Sequence, residues 1–75
     1  MTSSEQLGMR ITYLRGKKGW SQLDLSLESG VNRNYISDLE NGRRNPSLDI
    51  LEKIADAFGI SLEELFRGIQ TIPGI

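Results

Sequence analysis

The sequence predicts an all-α domain of five short helices. Three observations carry this. Apolar residues return at spacings of three and four. Cap-forming serines and asparagines open the apolar segments and glycines close them. Nowhere does the strict alternation of a half-buried strand persist. At 75 residues there is room for one domain. A chain this short buries only roughly 60% of its unfolded surface. It has no cysteine for a disulfide, so stability is expected from close helix packing and from a second subunit.

The elements follow in order. Helix 1 is expected over about residues 4–18, with Leu7, Ile11 and Leu14 as its stripe and Gly19 as its stop. Ser21 caps helix 2, and Asp24 places negative charge in its first turn, where the helix dipole favours it. Gly30 ends that helix in a tight turn, Val31 plugs the turn, and Asn32 caps helix 3. Helix 3 runs to about Asn41 and stops at Gly42. Pro46 disfavours helix at Asn45, and Ser47 caps helix 4, whose buried stripe is Leu48, Leu51, Ile54, Ala55 and Phe58. Gly59 ends it. Ser61 with Glu64 reads as a capping box, and Ile60 with Leu65 as a hydrophobic staple, so helix 5 covers about residues 62–67. The domain is expected over residues 1–68, with 69–75 as an irregular tail carrying Ile69, Ile72 and Ile75.

Composition narrows the function. Without histidine or cysteine the chain lacks the commonest metal ligand, general base and thiolate nucleophile. There is no Gly-rich phosphate loop, and Glu63-Glu64 is better explained by capping than by acid–base work. No enzyme activity, cofactor or metal is expected. No apolar run approaches a membrane span and the first residues lack a signal-peptide core, so the cytoplasm is the default compartment. The net charge of −1 argues against a simple basic nucleic-acid binder. Its distribution is uneven, however. Residues 10–44 hold seven basic and four acidic side chains, whereas residues 45–75 hold two basic and five acidic. Such asymmetry suits one face turned to a polyanion, although so few charges also divide unevenly by chance.

Helices 2 and 3 carry the functional signal. Leu25, Val31, Ile36 and Leu39 can meet in one small core that fixes the angle between the helices. That leaves Arg33, Asn34, Ser37 and Asp38 on the far side of helix 3, free to enter a DNA major groove, which is wide enough for a helix. Arginine can grip guanine O6 and N7 with two bonds and asparagine can do the same for adenine, each pair giving about 1–3 kcal/mol of discrimination. Asp38 could accept from cytosine N4 or, equally, orient Asn34 four residues back.

The stretch GWSQLDLSLESGVNRNYISDLENGRRNPSLDILEKIADAFGISLEELF resembles the Cro/cI-type, or XRE, helix-turn-helix family of phage-repressor DNA-binding domains. The resemblance rests on Ser-Gln opening helix 2, Gly-Val in the turn, Leu-Glu-Asn-Gly closing helix 3, Asn-Pro-Ser-Leu before helix 4 and Ala-Phe-Gly-Ile-Ser after it. A single domain with Tyr-Ile-Ser-Asp in helix 3 also resembles the controller proteins of restriction–modification systems. What the resemblance implies is a five-helix, lambda-repressor-like domain acting as a transcriptional regulator, repressor or controller. Double-stranded DNA with a palindromic operator is its implied partner. Gln22 matches a family glutamine that reaches a phosphate. Tyr35, Asn41, Arg43, Arg44 and Asn45 are expected at the DNA backbone, setting register without reading sequence. Arg15 and Glu40 match a partly buried structural ion pair. Ser26 departs from the usual alanine and needs a partner for its hydroxyl. Leu23 and Leu27 stand at usually polar positions, as ordinary exposed leucines or as an apolar pair open to another protein.

One helix reads only a few base pairs. Dimers place two helices about 34 Å apart on a palindrome. The apolar surplus at Leu65, Phe66, Ile69 and Ile72 is the expected homodimer contact. The acidic residues near helices 2 and 4 could serve a touch on RNA polymerase. The competing function class is a helical interaction module or antitoxin on the same fold.

Overall fold

The computed structural model describes residues 1–69: α1 (Ser3–Lys17), α2 (Gln22–Ser29), α3 (Arg33–Glu40), α4 (Leu48–Phe58) and α5 (Leu62–Leu65), with no strand among them. The all-α, five-helix expectation is borne out. Ile72 and Ile75 lie outside the described residues.

Each helix begins where a side chain can satisfy its free amides. α1 starts at Ser3, a residue earlier than expected, because Thr2 and Glu5 close a reciprocal box. The Thr2 hydroxyl accepts from Glu5 N at 3.1 Å, and the Glu5 carboxylate accepts from Thr2 N at 2.8 Å. Ser21 and Asp24 do the same for α2 at 3.0 and 2.9 Å, so Asp24 is a capping partner as well as a favourable charge. Asn32 caps α3 by accepting from Asn34 N and Tyr35 N. At α5 the box is only half made. Ser61 accepts from Glu64 N at 3.1 Å, but the Glu64 carboxylate turns to Arg67 at 3.0 Å. The helix ends at Leu65 and not at 67, and the chain leaves through a turn closed by Phe66 and Ile69.

The core gathers one or more residues from every element: Leu7 and Ile11, Leu25, Val31, Ile36 and Leu39, then Leu51, Ile54, Ala55 and Phe58, then Leu65. Trp20 closes one end by stacking on Phe58, with ring centroids 5.8 Å apart. Two expectations change. Leu48 is not part of the buried stripe; it is 62% exposed. It occupies the first position of α4, ahead of the buried residues Leu51, Ile54, Ala55 and Phe58. Leu65 is not available to a dimer contact; it is 0% exposed within its own domain. The staple turn that brings Ile60 to the core drives Leu65 inward, while Phe66 and Ile69 pack on the core from outside.

Gly8 sets the approach of α1 to α3. A Cβ at this position would lie 2.4 Å from the carbonyl oxygen of Leu39 and 2.7 Å from that of Glu40. Only a residue without a side chain lets α1 cross so near the end of α3. That crossing places Arg15, two turns further along, beside Glu40.

Candidate nucleic-acid interface

Helix α3 is short, and its position depends on what holds its last turn. Glu40 is the anchor. Its carboxylate accepts from Arg15 Nε at 2.8 Å and Arg15 Nη2 at 2.9 Å, a two-pronged pair, and from Gln22 Nε2 at 3.1 Å. The Arg15 Nη1 group donates to the carbonyl of Trp20 at 2.9 Å. One cluster thus ties α1, the α1–α2 turn, α2 and α3 together. Burial pushes the Glu40 carboxyl up, but the hydrogen bonds from Arg15 and Gln22 outweigh it and hold the group below its ordinary value of 4.5. The bond to Glu40 raises the Arg15 guanidinium further above its already high ordinary value. Gln22, expected at a phosphate, uses its amide hydrogen on Glu40 and stands at the first position of α2, beside the α3 surface.

With the inner side of α3 fixed by Ile36 and Leu39, the outer side is open. Arg33 and Asn34 are exposed in the first turn, and Ser37 and Asp38 follow one turn on, partly covered. Arg33, Asn34 and Ser37 line a shallow groove of about 500 Å³ with Arg15, Ser21, Gln22 and Leu23. The groove brings the N-terminal ends of α2 and α3 to one surface, where helix dipoles favour an anion.

Residues 41–45 border the same surface. The Asn41 amide donates to the carbonyl of Ser37 at 2.8 Å. Asn45 accepts from the Ser4 hydroxyl at 2.8 Å, which pins the loop to the start of α1. Arg43 and Arg44 are exposed. The Arg44 guanidinium lies 4.5 Å from the centroid of the Tyr35 ring and bonds Asp38 at 3.3 Å. The Asp38 carboxylate is thus engaged by Arg44 in the free protein.

Several features were not read from the sequence. The glycine at position 8 is one, and the Ser4–Asn45 bond is another. Arg10, counted with the basic half, instead donates to the carbonyls of Glu64 and Leu65 at 2.9 and 3.3 Å, closing the end of α5. Ser26 finds the partner it needed, donating to the Val31 carbonyl at 2.6 Å. Leu23 and Leu27 are 48% and 73% exposed.

Two linked helices with a glycine turn, a sealed ion pair beneath the second helix and an open polar face upon it define a helix-turn-helix domain. The family model described as "Helix-turn-helix" matches residues 11–65. The control protein C.BamHI of Bacillus amyloliquefaciens is 41% identical over 68 residues, covering 87% of this chain and 84% of that protein. The crystal structure of the restriction-modification controller protein C.AhdI from Aeromonas hydrophila superimposes with a TM-score of 0.81 at 41% identity, covering 84% of this chain and 96% of that one. The controller protein C.Esp1396I, solved as a tetramer with its natural 35 base-pair operator, superimposes with a TM-score of 0.80 at 30% identity, covering 88% of this chain and 87% of that one. Of a longer regulator from Deinococcus deserti, 36% identical, the chain spans about half the length, 47%. The chain belongs to the helix-turn-helix family and is a transcriptional regulator of that class.

Proposed function

We propose that this regulator binds double-stranded DNA sequence-specifically as a homodimer, laying α3 of each protomer in successive major grooves of a palindromic operator. Arg33 and Asn34 read bases, Ser37 and Asp38 extend the reading one turn further, and Gln22, Tyr35, Asn41, Arg43, Arg44 and Asn45 set register on the phosphates. The observation that carries this reading is the open outer face of α3, held rigidly by the Arg15–Glu40 pair and bordered by the cationic loop 43–44. The crystallised operator complex of the relative C.Esp1396I supports it. Occupancy of the operator represses by obstruction. A contact with RNA polymerase through the exposed carboxylates of Asp24 and Glu28 is the route to activation. Such a protein works in the cytoplasm, where its DNA is; among the described residues no helix is long and apolar enough to cross a membrane.

The test is selection of bound sequences from random duplex DNA, wild type beside Arg33→Ala. The expected result is a palindrome that blurs at one symmetric position in the variant. Affinity should also fall steeply as salt rises, through release of counterions. Salt-independent binding, or failure to retain any duplex at low salt, would overturn the reading and favour a protein-interaction module.

A further inference from the structure

Asp38 puts a carboxylate on the same open face as Asn34, where a duplex would bring its phosphates. Charges within a screening length of about 8 Å are felt, so a bare carboxylate there opposes docking. In the free protein it is not bare. Arg44 Nε donates to Asp38 Oδ2 at 3.3 Å, and the same guanidinium lies over the Tyr35 ring at 4.5 Å. The backbone reinforces the cluster, because Arg43 N donates to the Asp38 carbonyl at 2.9 Å. Arg44 thus has two claims on it: the carboxylate and ring that hold it now, and the phosphate it would reach on DNA.

We propose, resting on the DNA-binding reading above, that Asp38 is a specificity-determining residue that acts through Arg44. In the free protein Asp38 and Tyr35 detain the guanidinium. Docking hands Arg44 to a phosphate and leaves the Asp38 carboxylate unpaired in the groove. Only a base offering a donor compensates that loss. Guanine and thymine present acceptors at the major-groove edge, adenine sets an acceptor beside its donor, and cytosine presents only the N4 donor. Asp38 therefore selects cytosine. On random sequence the released carboxylate meets acceptors and phosphates, so Arg44 stays detained and non-specific binding stays weak. The pair is half exposed, and such pairs are individually weak. Its consequence is a changed ratio of affinities, not a large change in stability.

The test compares wild type, Asp38→Ala, Arg44→Ala and the double variant on a selected operator and on random duplex, each over a range of salt. Asp38→Ala should bind random duplex roughly 1.4-fold to fivefold more tightly. Its salt dependence on random duplex should steepen by about one phosphate contact, while that on the operator is unchanged. Preference for cytosine at one symmetric operator position should fall roughly tenfold or more. In the Arg44→Ala background the salt-slope difference should vanish; its persistence there shows that Asp38 does not act through Arg44. Equal affinity changes on operator and random duplex overturn the proposal while leaving the DNA-binding reading intact. A second measurement needs no DNA. Nitrogen relaxation at Arg44 Nε should report an ordered guanidinium in wild type and a mobile one in Asp38→Ala. Equal mobility in the two proteins also overturns it.

Discussion

Glu40 receives three hydrogen bonds on one carboxylate and its side chain is only 6% exposed, against 19% for Arg15. Removing one partner from such a pair strands a charge that burial has cut off from water. Arg15→Ala is expected to cost about 3 kcal/mol, the lower end for buried pairs because Arg15 keeps some solvent. In a domain of this size that is roughly 12–24 °C in melting temperature. A melting curve unchanged from wild type would refute the anchoring role. The same carboxylate gives a pH dependence with a definite sign. Its folded-state value lies below the ordinary 4.5. The stability it contributes is therefore present above about pH 4.5 and is lost as pH falls through the lower folded value. Glu40→Gln should melt lower than wild type at neutral pH and show a shallower loss of stability on acidification. Parallel acid limbs in the two proteins would show that Glu40 is not the responsible group. Arg15, its guanidinium raised by the same bond, stays charged throughout this range and adds no slope to it.

Two glycines within α1 test how far local propensity decides an element. In a free helix, alanine in place of glycine gains up to about 1 kcal/mol. Nothing lies within 4 Å of a Cβ built at Gly16, and its backbone is helical. Gly16→Ala should therefore stabilise, by about 0.5 kcal/mol so near the helix end. At Gly8 the same change drives a methyl into two backbone carbonyls that cannot rotate away. Overpacking of this kind costs about 1–3 kcal/mol and exceeds the propensity gain. Gly8→Ala should thus destabilise, and by prising α1 from α3 it should loosen the Arg15–Glu40 contact as well. Thermal melts of the two variants moving in the same direction would contradict this account. The pair also marks what the sequence could disclose. Caps, stops and apolar spacing are local, so Ser21, Asn32, Ser47 and Ser61 placed the helices to within a residue or two at most ends. The outer residues of α3 followed from the inner ones, since fixing Ile36 and Leu39 inward leaves Arg33 and Asn34 outward. A crossing distance is not local: nothing in the neighbours of Gly8 distinguishes it from Gly16. Nor does spacing alone tell that Arg10 reaches the end of α5, that Asp38 turns to Arg44, or that Leu65 faces inward and Phe66 does not.

At the scale of the whole molecule, the proposed dimer loses Leu65 from the patch that the sequence implied. Each domain measures 36 × 22 × 22 Å, so two of them side by side can carry their α3 helices the one DNA turn apart, about 34 Å, that a palindrome demands. With Leu65 committed to the core, the apolar surface left at the C-terminal end comprises, among the described residues, Phe66 and Ile69. Ile69 lines a shallow groove with Met1, Met9 and Tyr13, three residues of α1 and its approach that are themselves more than half exposed. The proposed two-fold contact should run over this surface and bury it in a second copy. Sedimentation at micromolar concentration is expected to give twice the 8.4 kDa chain mass. Two substitutions then separate folding from association. Leu65→Ala deletes a fully buried side chain and should cost about 2–5 kcal/mol within the protomer, lowering the melting temperature at every protein concentration. Ile69→Glu charges the half-buried rim of the groove. It should lower the melting temperature mainly where the wild type is dimeric and flatten its dependence on concentration, because a partner that binds only the folded chain stabilises by mass action. Operator affinity should drop with it while α3 stays folded. If wild type sediments as a monomer and its melting temperature is the same at all concentrations, the contact is absent, and the two recognition helices must be brought together by the DNA alone.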